Sequence, residues 1–199
     1  MEKNYNLTEF LCTFLALVSS ISLVQPTSAA TTPSAYTNFV KTRCSATTYP
    51  AVCIRTLYPY ASYVQTNPLK LCKTALSVAI QGAGNTSAKV SKLASRRGYY
   101  SRMEAAALKD CMYDVKDAIS ELKQALGAMT RLGGADRQFQ WANAKTWGSA
   151  AITDLESCLD GFAGRKISPA LRANIKSFVV PPQRLISNAL YLINHLYQQ

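Results

Sequence analysis

Histidine is almost missing from this chain: a single residue, His195, stands close to the C-terminus. It sits among Leu192, Ile193, Leu196 and Tyr197, the setting of a helix end or surface residue rather than a catalytic base. There is no C-x-x-C pair either, so neither imidazoles nor paired thiolates offer a zinc site. Gly-rich phosphate loops, G-x-S-x-G turns and H-E-x-x-H helices are equally absent, which removes the common signatures of nucleotide binding, serine hydrolysis and metalloproteolysis. No enzyme activity, cofactor or metal is expected. Apolar residues nowhere alternate with polar ones over a strand's length, so no strand is expected. Nor is there an apolar run of the ~20 residues needed to span a bilayer.

Acidic residues are scarce, 11 against 22 Lys and Arg. An imbalance of this sign often marks nucleic-acid binding. Two features oppose that reading. The longest basic run is only Arg96-Arg97, with no basic cluster interleaved with aromatics, and the N-terminus resembles an export signal. Leu11 to Val24 has the length of a signal-peptide core, and Ser28-Ala29-Ala30 offers the small-x-small pattern of a cleavage site. Ser19, Ser20 and Ser22 interrupt the run and argue against a membrane anchor. Residues 1–30 are therefore read as a signal peptide cleaved near Ala29 or Ala30, leaving 31–199 as one secreted domain with no membrane attachment. The mature chain keeps 21 basic and 9 acidic residues, a net charge of +12. Such a protein suits acidic polysaccharide or the acidic face of another protein.

Five cysteines remain after cleavage: Cys44, Cys53, Cys72, Cys111 and Cys158. In an oxidising compartment they imply two disulfides and one leftover thiol, and composition leaves the pairing open. Closing the short step from Cys44 to Cys53 would staple residues 31–66, which read as short helical pieces joined by turns, into a hairpin worth about 2.6 kcal/mol.

Residues 67–199 show the period of long helices. Asn67-Pro68 is an N-cap followed by proline at the first helical position. The inner stripe of this first long helix is Leu69, Cys72, Leu76, Ala79, Ala83, Val90 and Leu93, and Gly82 with Gly84 predicts a distortion near residues 82–87. Ser101 and Glu104 form a capping box for a second helix over about 101–131. Its stripe, Leu108, Cys111, Val115, Ala118, Leu122, Ala125 and Met129, repeats every three or four residues. The third helix, about 136–162, matches it with Trp141, Ala144, Gly148, Ala151, Leu155, Cys158 and Phe162. A cysteine on each stripe can meet its counterpart across a helix pair. Ser168-Pro169 opens a fourth helix with Leu171, Ile175, Phe178, Leu185, Ala189, Leu192 and Leu196, where Pro181-Pro182 predicts a kink or two pieces in line. The fold class is all-α: an up-down-up-down four-helix bundle preceded by the helical hairpin.

On the second helix Asp110, Asp114, Asp117 and Glu121 recur at spacings of four, three and four. With Lys109, Lys116 and Lys123 on the same helix, the default reading is a solvated charged face, and the alternative is a partner-binding one. Asn85-Thr86-Ser87 is the one glycosylation sequon of the mature chain and requires Asn85 to face solvent.

Several motifs together are recognisable. Cys44-Ser45-Ala46-Thr47-Thr48-Tyr49-Pro50-Ala51-Val52-Cys53 comes first, then Asn67-Pro68 leading into Ala75-Leu76-Ser77-Val78-Ala79. Leu108-Lys109-Asp110-Cys111 and Asp117-Ala118-Ile119-Ser120-Glu121-Leu122 follow. Thr146-Trp147 through Asp154, Cys158-Leu159-Asp160-Gly161-Phe162 and Ser187-Asn188-Ala189-Leu190 complete the set. In this order they resemble the plant invertase/pectin methylesterase inhibitor family over nearly all of residues 31–199.

The resemblance implies disulfides Cys44–Cys53 and Cys111–Cys158, with Cys72 unpaired where the family usually carries an aliphatic residue. It also implies a non-enzyme. Members of the esterase-inhibiting branch dock the bundle, one to one, across the substrate cleft of a pectin methylesterase, whereas the other branch plugs the sucrose pocket of an acid invertase. Motif matching makes Asp117 and Asp160 the candidate esterase contacts and puts Ser157 where a threonine is common. The Pro-Lys-Phe tripeptide associated with the invertase branch does not occur. That absence, with Tyr36-x-Asn38-Phe39-Val40 and the Ser187-Asn188-Ala189-Leu190 ending, favours the esterase branch and a cell-wall location, and the alternative from another class is a non-inhibitory basic wall protein that binds anionic pectin. The chain departs from the family's usual residues at Ala144-Lys145, Asp154-Leu155 and Pro181-Pro182.

Overall fold

Helices and turns account for the described residues, 33–96, 98–164 and 166–197 of this computed structural model, and among them there is no strand. The expected signal segment, residues 1–30, lies outside them. Along the chain run α1 (Pro33–Ser45), α2 (Pro50–Leu57), a 3-10 turn (Tyr58–Tyr60) and α3 (Ala61–Val64), which form the hairpin region. The long helices are α4 (Pro68–Ala94), α5 (Arg102–Thr130), α6 (Arg137–Asp160) and α7 (Pro169–Asn194). α4 packs on α5, α5 on α6, α6 on α7 and α7 back on α4, which closes an up-down-up-down bundle.

The helix starts follow from local chemistry. Asn67 Oδ1 accepts the Lys70 N–H at 2.9 Å, capping α4 ahead of Pro68. At α5, Ser101 Oγ accepts the Glu104 N–H at 3.2 Å while Glu104 Oε2 accepts the Ser101 N–H at 3.0 Å. The other oxygen of Glu104 accepts the Ser168 N–H at 2.9 Å, so one carboxylate holds the starts of both α5 and α7. These donors, that of Ser168 foremost, hold the carboxyl near pH 2 rather than 4.5.

All seven stripe residues of α5 are buried, as are Ala144, Gly148, Ala151, Leu155, Cys158 and Phe162 of the α6 segment. Trp141 is half-buried because its indole reaches across the bundle, where Nε1 donates to the Ile193 carbonyl at 2.8 Å. That carbonyl belongs to the last turn of α7 and also accepts the Leu196 N–H at 3.3 Å.

The structure corrects two expectations for the helices that face each other as α4 and α7. No distortion occurs at residues 82–87, because α4 is continuous there. Gly82 is instead a point of close approach: a Cβ on it would lie 2.8 Å from Leu185 Cδ1 and 3.6 Å from Pro182 Cβ. The second correction concerns Pro181-Pro182, which lies inside one continuous helix. Proline at 182 cannot donate to the Phe178 carbonyl, and Thr86 Oγ1 does so from α4 at 2.7 Å. The carbonyl that Pro181 leaves free belongs to Ser177, which is exposed to water. Pro182 itself is buried, so the inner stripe is Leu171, Ile175, Val179, Pro182, Ile186, Ala189, Leu192, Ile193 and Leu196, with Phe178 and Leu185 only half-buried. On α4, similarly, Leu71 is buried and Leu69 half-buried.

Thr86→Val keeps the shape of the side chain and removes the donor. It is expected to cost about 1–3 kcal/mol, the penalty of an unsatisfied buried carbonyl, measurable by urea unfolding. An unchanged midpoint would show that water takes over the bond.

The hairpin is joined internally by the Cys44–Cys53 disulfide and has its own buried residues, Val40, Leu57, Ala61 and Val64. Its tie to the bundle is Asn188 on α7, 3% exposed. Asn188 Oδ1 accepts the Tyr49 N–H at 2.9 Å, and Nδ2 donates to the Tyr49 carbonyl at 3.0 Å. Cys72 is the free cysteine, 1% exposed, and burial pushes its thiol up to about 12. A thiol so protonated behaves as a small apolar side chain rather than a redox group. His195 ends α7 stacked on Tyr191 with its Nδ1 2.8 Å from the Tyr191 carbonyl, a structural rather than catalytic setting.

Candidate docking surface

α5 and α6 run antiparallel, and the Cys111–Cys158 disulfide holds their Cα atoms 4.2 Å apart at that point. Small side chains on both stripes, Ala118 and Ala125 against Ala144, Gly148 and Ala151, let the backbones approach closely along the rest of the pair. The outward side of this rigid pair carries the acidic residues.

Those residues do not form a uniformly solvated face. Asp110 and Asp117 are exposed, but Asp114 and Glu121 turn toward α6 and are half-buried. Asp154 of α6 comes between them. Its carboxyl shares a hydrogen bond with that of Glu121 and lies within electrostatic reach of Asp114. One oxygen of each member of the pair, Glu121 Oε2 and Asp154 Oδ2, is buried without a hydrogen-bond partner. Burial first, then the hydrogen bond and charge of Asp154 and the charge of Asp117, push Glu121 up from 4.5 to about 7. Asp114 is raised for the same order of reasons: burial, then Asp154, Asp110 and Asp117.

The consequence for stability has a definite sign. Folded Glu121 keeps a proton that the unfolded chain gives up above pH 4.5, so its contribution is complete below 4.5 and is lost as pH rises through about 7. Glu104 acts oppositely, contributing above 4.5 and losing that contribution as pH falls toward about 2. Glu121→Gln is therefore expected to match the parent below pH 4.5 and exceed it above pH 7. The gain, discounted for the solvent that screens this half-exposed pair, is on the order of 1 kcal/mol. Thermal unfolding across that range checks it, and a variant no more stable at neutral pH would show that the pair is not sharing a proton.

Asp117, Ser157 and Asp160 are all exposed. Asp117 stands beside the carboxyl group just described. Ser157 and Asp160 occupy the last exposed turn of α6, either side of the disulfide-bonded Cys158. Two further residues share this surface. Asp154 closes the carboxyl cluster, and Tyr113, 52% exposed, stands one turn before Asp117 with the ammonium groups of Lys109 and Lys116 at 6.0 and 5.9 Å from its ring. The signal for Tyr113 was its spacing: it lies four residues before Asp117 on the polar side of the helix, where a large aromatic has no core to fill. Asn85 is exposed on α4, away from this surface. Among the described residues no group of His, Cys, Asp and Glu could hold a metal, and no helix is long and apolar enough to cross a membrane.

Known proteins share this arrangement. The family model for plant invertase/pectin methylesterase inhibitor matches residues 38–192. A "21 kDa protein" of Daucus carota is 36% identical over 182 residues, covering 90% of this chain and 93% of its own. Pectinesterase inhibitor 11 of Arabidopsis thaliana is 36% identical over 192 residues, 93% of this chain and 95% of its own. The solved structure of a mutant form of a pectin methylesterase inhibitor from Arabidopsis superposes with a TM-score of 0.59 at 22% identity, over 80% of this chain and 98% of that one. At that identity the structural likeness speaks for the fold. The match of the family model across the hairpin and all four long helices, with two relatives this similar end to end, makes the chain a member of the plant invertase/pectin methylesterase inhibitor family.

Proposed function

We propose that the protein is a secreted inhibitor of pectin methylesterase, released into the cell wall by removal of residues 1–30. It forms a one-to-one complex in which the α5–α6 surface covers the enzyme's substrate cleft. The observation that carries this reading is that relatives covering nearly the whole chain are named pectinesterase inhibitors. The surface suits the task physically. A disulfide-locked helix pair pays little ordering entropy on binding, and an exposed tyrosine flanked by charges is the composition of an interface anchor. Asp117, Ser157 and Asp160 are the polar contacts around it. Exposed Asn85 carries the glycan in this reading, and the absence of an enzyme site leaves occlusion as the mode of action.

The test titrates the oxidised mature protein against a plant pectin methylesterase and an acid invertase in parallel. Stoichiometric loss of esterase activity alone is expected. Tyr113→Ala and Asp117→Ala should each weaken inhibition by tenfold or more, about 1.4 kcal/mol, with unfolding unchanged. Inhibition of invertase alone would replace the proposed target, and variants that inhibit as well as the parent would move the interface off α5.

A further inference from the structure

The positive charge of this protein is not spread over it. Between residues 31 and 103 there are ten Lys and Arg and no Asp or Glu, so this stretch, from the hairpin through α4 to the first turn of α5, holds +10 of the mature chain's +12. Every acidic residue of the domain lies from Glu104 onward. The acid-free half also exposes aromatic rings that have no core to fill: Tyr58, Tyr60 and Tyr63 are 46%, 39% and 63% exposed. Lysines stand over two of them, Lys41 at 5.7 Å from the Tyr58 ring and Lys70 at 5.5 Å from the Tyr63 ring.

Tyr60 and Tyr63 border an open groove of about 380 Å³ between the hairpin and the outer face of α4, lined also by Lys73, Thr74 and Ser77. A second depression of about 240 Å³ continues it along α4 past Ser77 to Gln81. Thr74 and Ser77 spend their hydroxyl protons on the carbonyls of Lys70 and Lys73, at 2.8 and 3.0 Å. Their oxygens therefore face the groove as acceptors.

We propose that this groove binds a polyuronate, an acidic polysaccharide with a carboxylate on each sugar, on a surface separate from the α5–α6 docking face. Each part of the ligand has a counterpart. Sugar rings lie against tyrosine faces, whose amphipathic rings suit a ligand that is apolar on one side and wet on the other. Carboxylates meet the ammonium groups of Lys70 and Lys73. Sugar hydroxyls donate to the acceptor oxygens of Thr74 and Ser77 and to Gln81. A DNA backbone is a poorer match, because it offers phosphates without hydroxyl donors, and the groove offers lysines rather than the arginine forks that grip phosphate bidentately. α4 contacts α5 and α7 and lies diagonally across the bundle from α6. One molecule can thus hold a wall polymer and present its docking face at once, which raises its effective concentration where its target works.

The experiment measures binding of the oxidised mature protein to polygalacturonate, to the same polymer fully methylesterified, and to a DNA duplex, at low and high salt. Expected are binding to polygalacturonate that weakens steeply with salt, as displacement of counterions requires, and at least about tenfold weaker binding to the other two. Lys70→Gln with Lys73→Gln, and separately Tyr60→Ala with Tyr63→Ala, should each cost about tenfold. Lys166→Gln with Lys176→Gln removes the same charge near the start of α7, at the far end of the bundle from the hairpin, and should leave binding within about twofold. The proposal is overturned by a control pair that loses as much as the groove lysines, by a tyrosine pair without effect, or by DNA binding equal to polygalacturonate. Inhibition of a soluble esterase by the groove variants should equal that of the parent, so this proposal and the inhibitor reading fail separately.

Discussion

Replacing Cys111 and Cys158 together by alanine is expected to destabilise the protein by about 4 kcal/mol, the chain-entropy value for closing a loop of this length. The bond spans 47 residues, including nearly all of α5 and α6 and their connection. Without it the unfolded chain gains the freedom of that loop, while the folded bundle keeps its packing, since both side chains are buried on stripes that alanine can occupy. Removing both cysteines, rather than one, avoids leaving a single reactive thiol in the bundle. Urea unfolding at one pH with parent and variant side by side gives the answer. A loss below about 1 kcal/mol would mean that the reduced chain retains the α5–α6 contact when unfolded, and the entropy account would be wrong for this pair. The same variant should inhibit less well at temperatures where the parent is still rigid, because the docking surface is built on the two helices the bond joins.

The second large effect is expected from Asn188→Leu, at about 2–4 kcal/mol. Leucine has the branched shape of asparagine, with greater bulk and neither of its polar groups, so both hydrogen bonds to Tyr49 are lost at once. Each buried group left unpaired costs about 1–3 kcal/mol. The Tyr49 carbonyl retains the Cys53 N–H of α2, at 3.0 Å, so the larger part of the penalty falls on the Tyr49 N–H. The loss should be local before it is global. Amide exchange at Tyr49 and in α2 should accelerate well before that in α5, and a protease should cut between α1 and α4 first. Uniform acceleration through the bundle would instead show that the hairpin and the four long helices unfold as one unit.

How much of this was legible in the sequence differs by element. The stripe of α5 was read residue for residue, and that of α6 in all but Trp141, which is half-buried, because their apolar positions recur without interruption. α7 was read less well. Its prolines prompted a kink or two pieces in line at residues 181–182, and the two-piece alternative is excluded by one helix whose buried positions repeat through Pro182. The missing hydrogen bond was the reason to expect a break, and the hydroxyl that replaces it comes from Thr86, 92 residues earlier in the chain. Nothing local to α7 announces that donor. Gly82 misled for a similar reason: helix propensity counts its entropy cost, while its value here is the space it leaves for Leu185.

The candidate site divides in the same way. Asp110, Asp114, Asp117 and Glu121 were visible as a row on one helix, and so was their default reading as a solvated face. The row is split by what stands opposite it. Asp154 is part of another helix, and burial against that helix, then the approach of Asp154, raise Glu121 from 4.5 to about 7. Ser157 and Asp160 carry no such signal in their own spacing and came from the family resemblance.

By itself, then, the sequence determined that the chain is all-helical, where its helices begin, which faces they bury, and that acid-free and acid-bearing halves follow one another, since each of these depends on neighbours within a turn or two. Tertiary structure alone decided that a threonine serves the carbonyl a proline leaves unpaired, that an asparagine clamps the hairpin, that burial beside Asp154 raises Glu121, and that two tyrosines from the hairpin region and a lysine of α4 border one groove. Each of those needs groups from elements far apart in the chain to come within a few ångströms, and hydrogen bonding, desolvation and charge act only at that range.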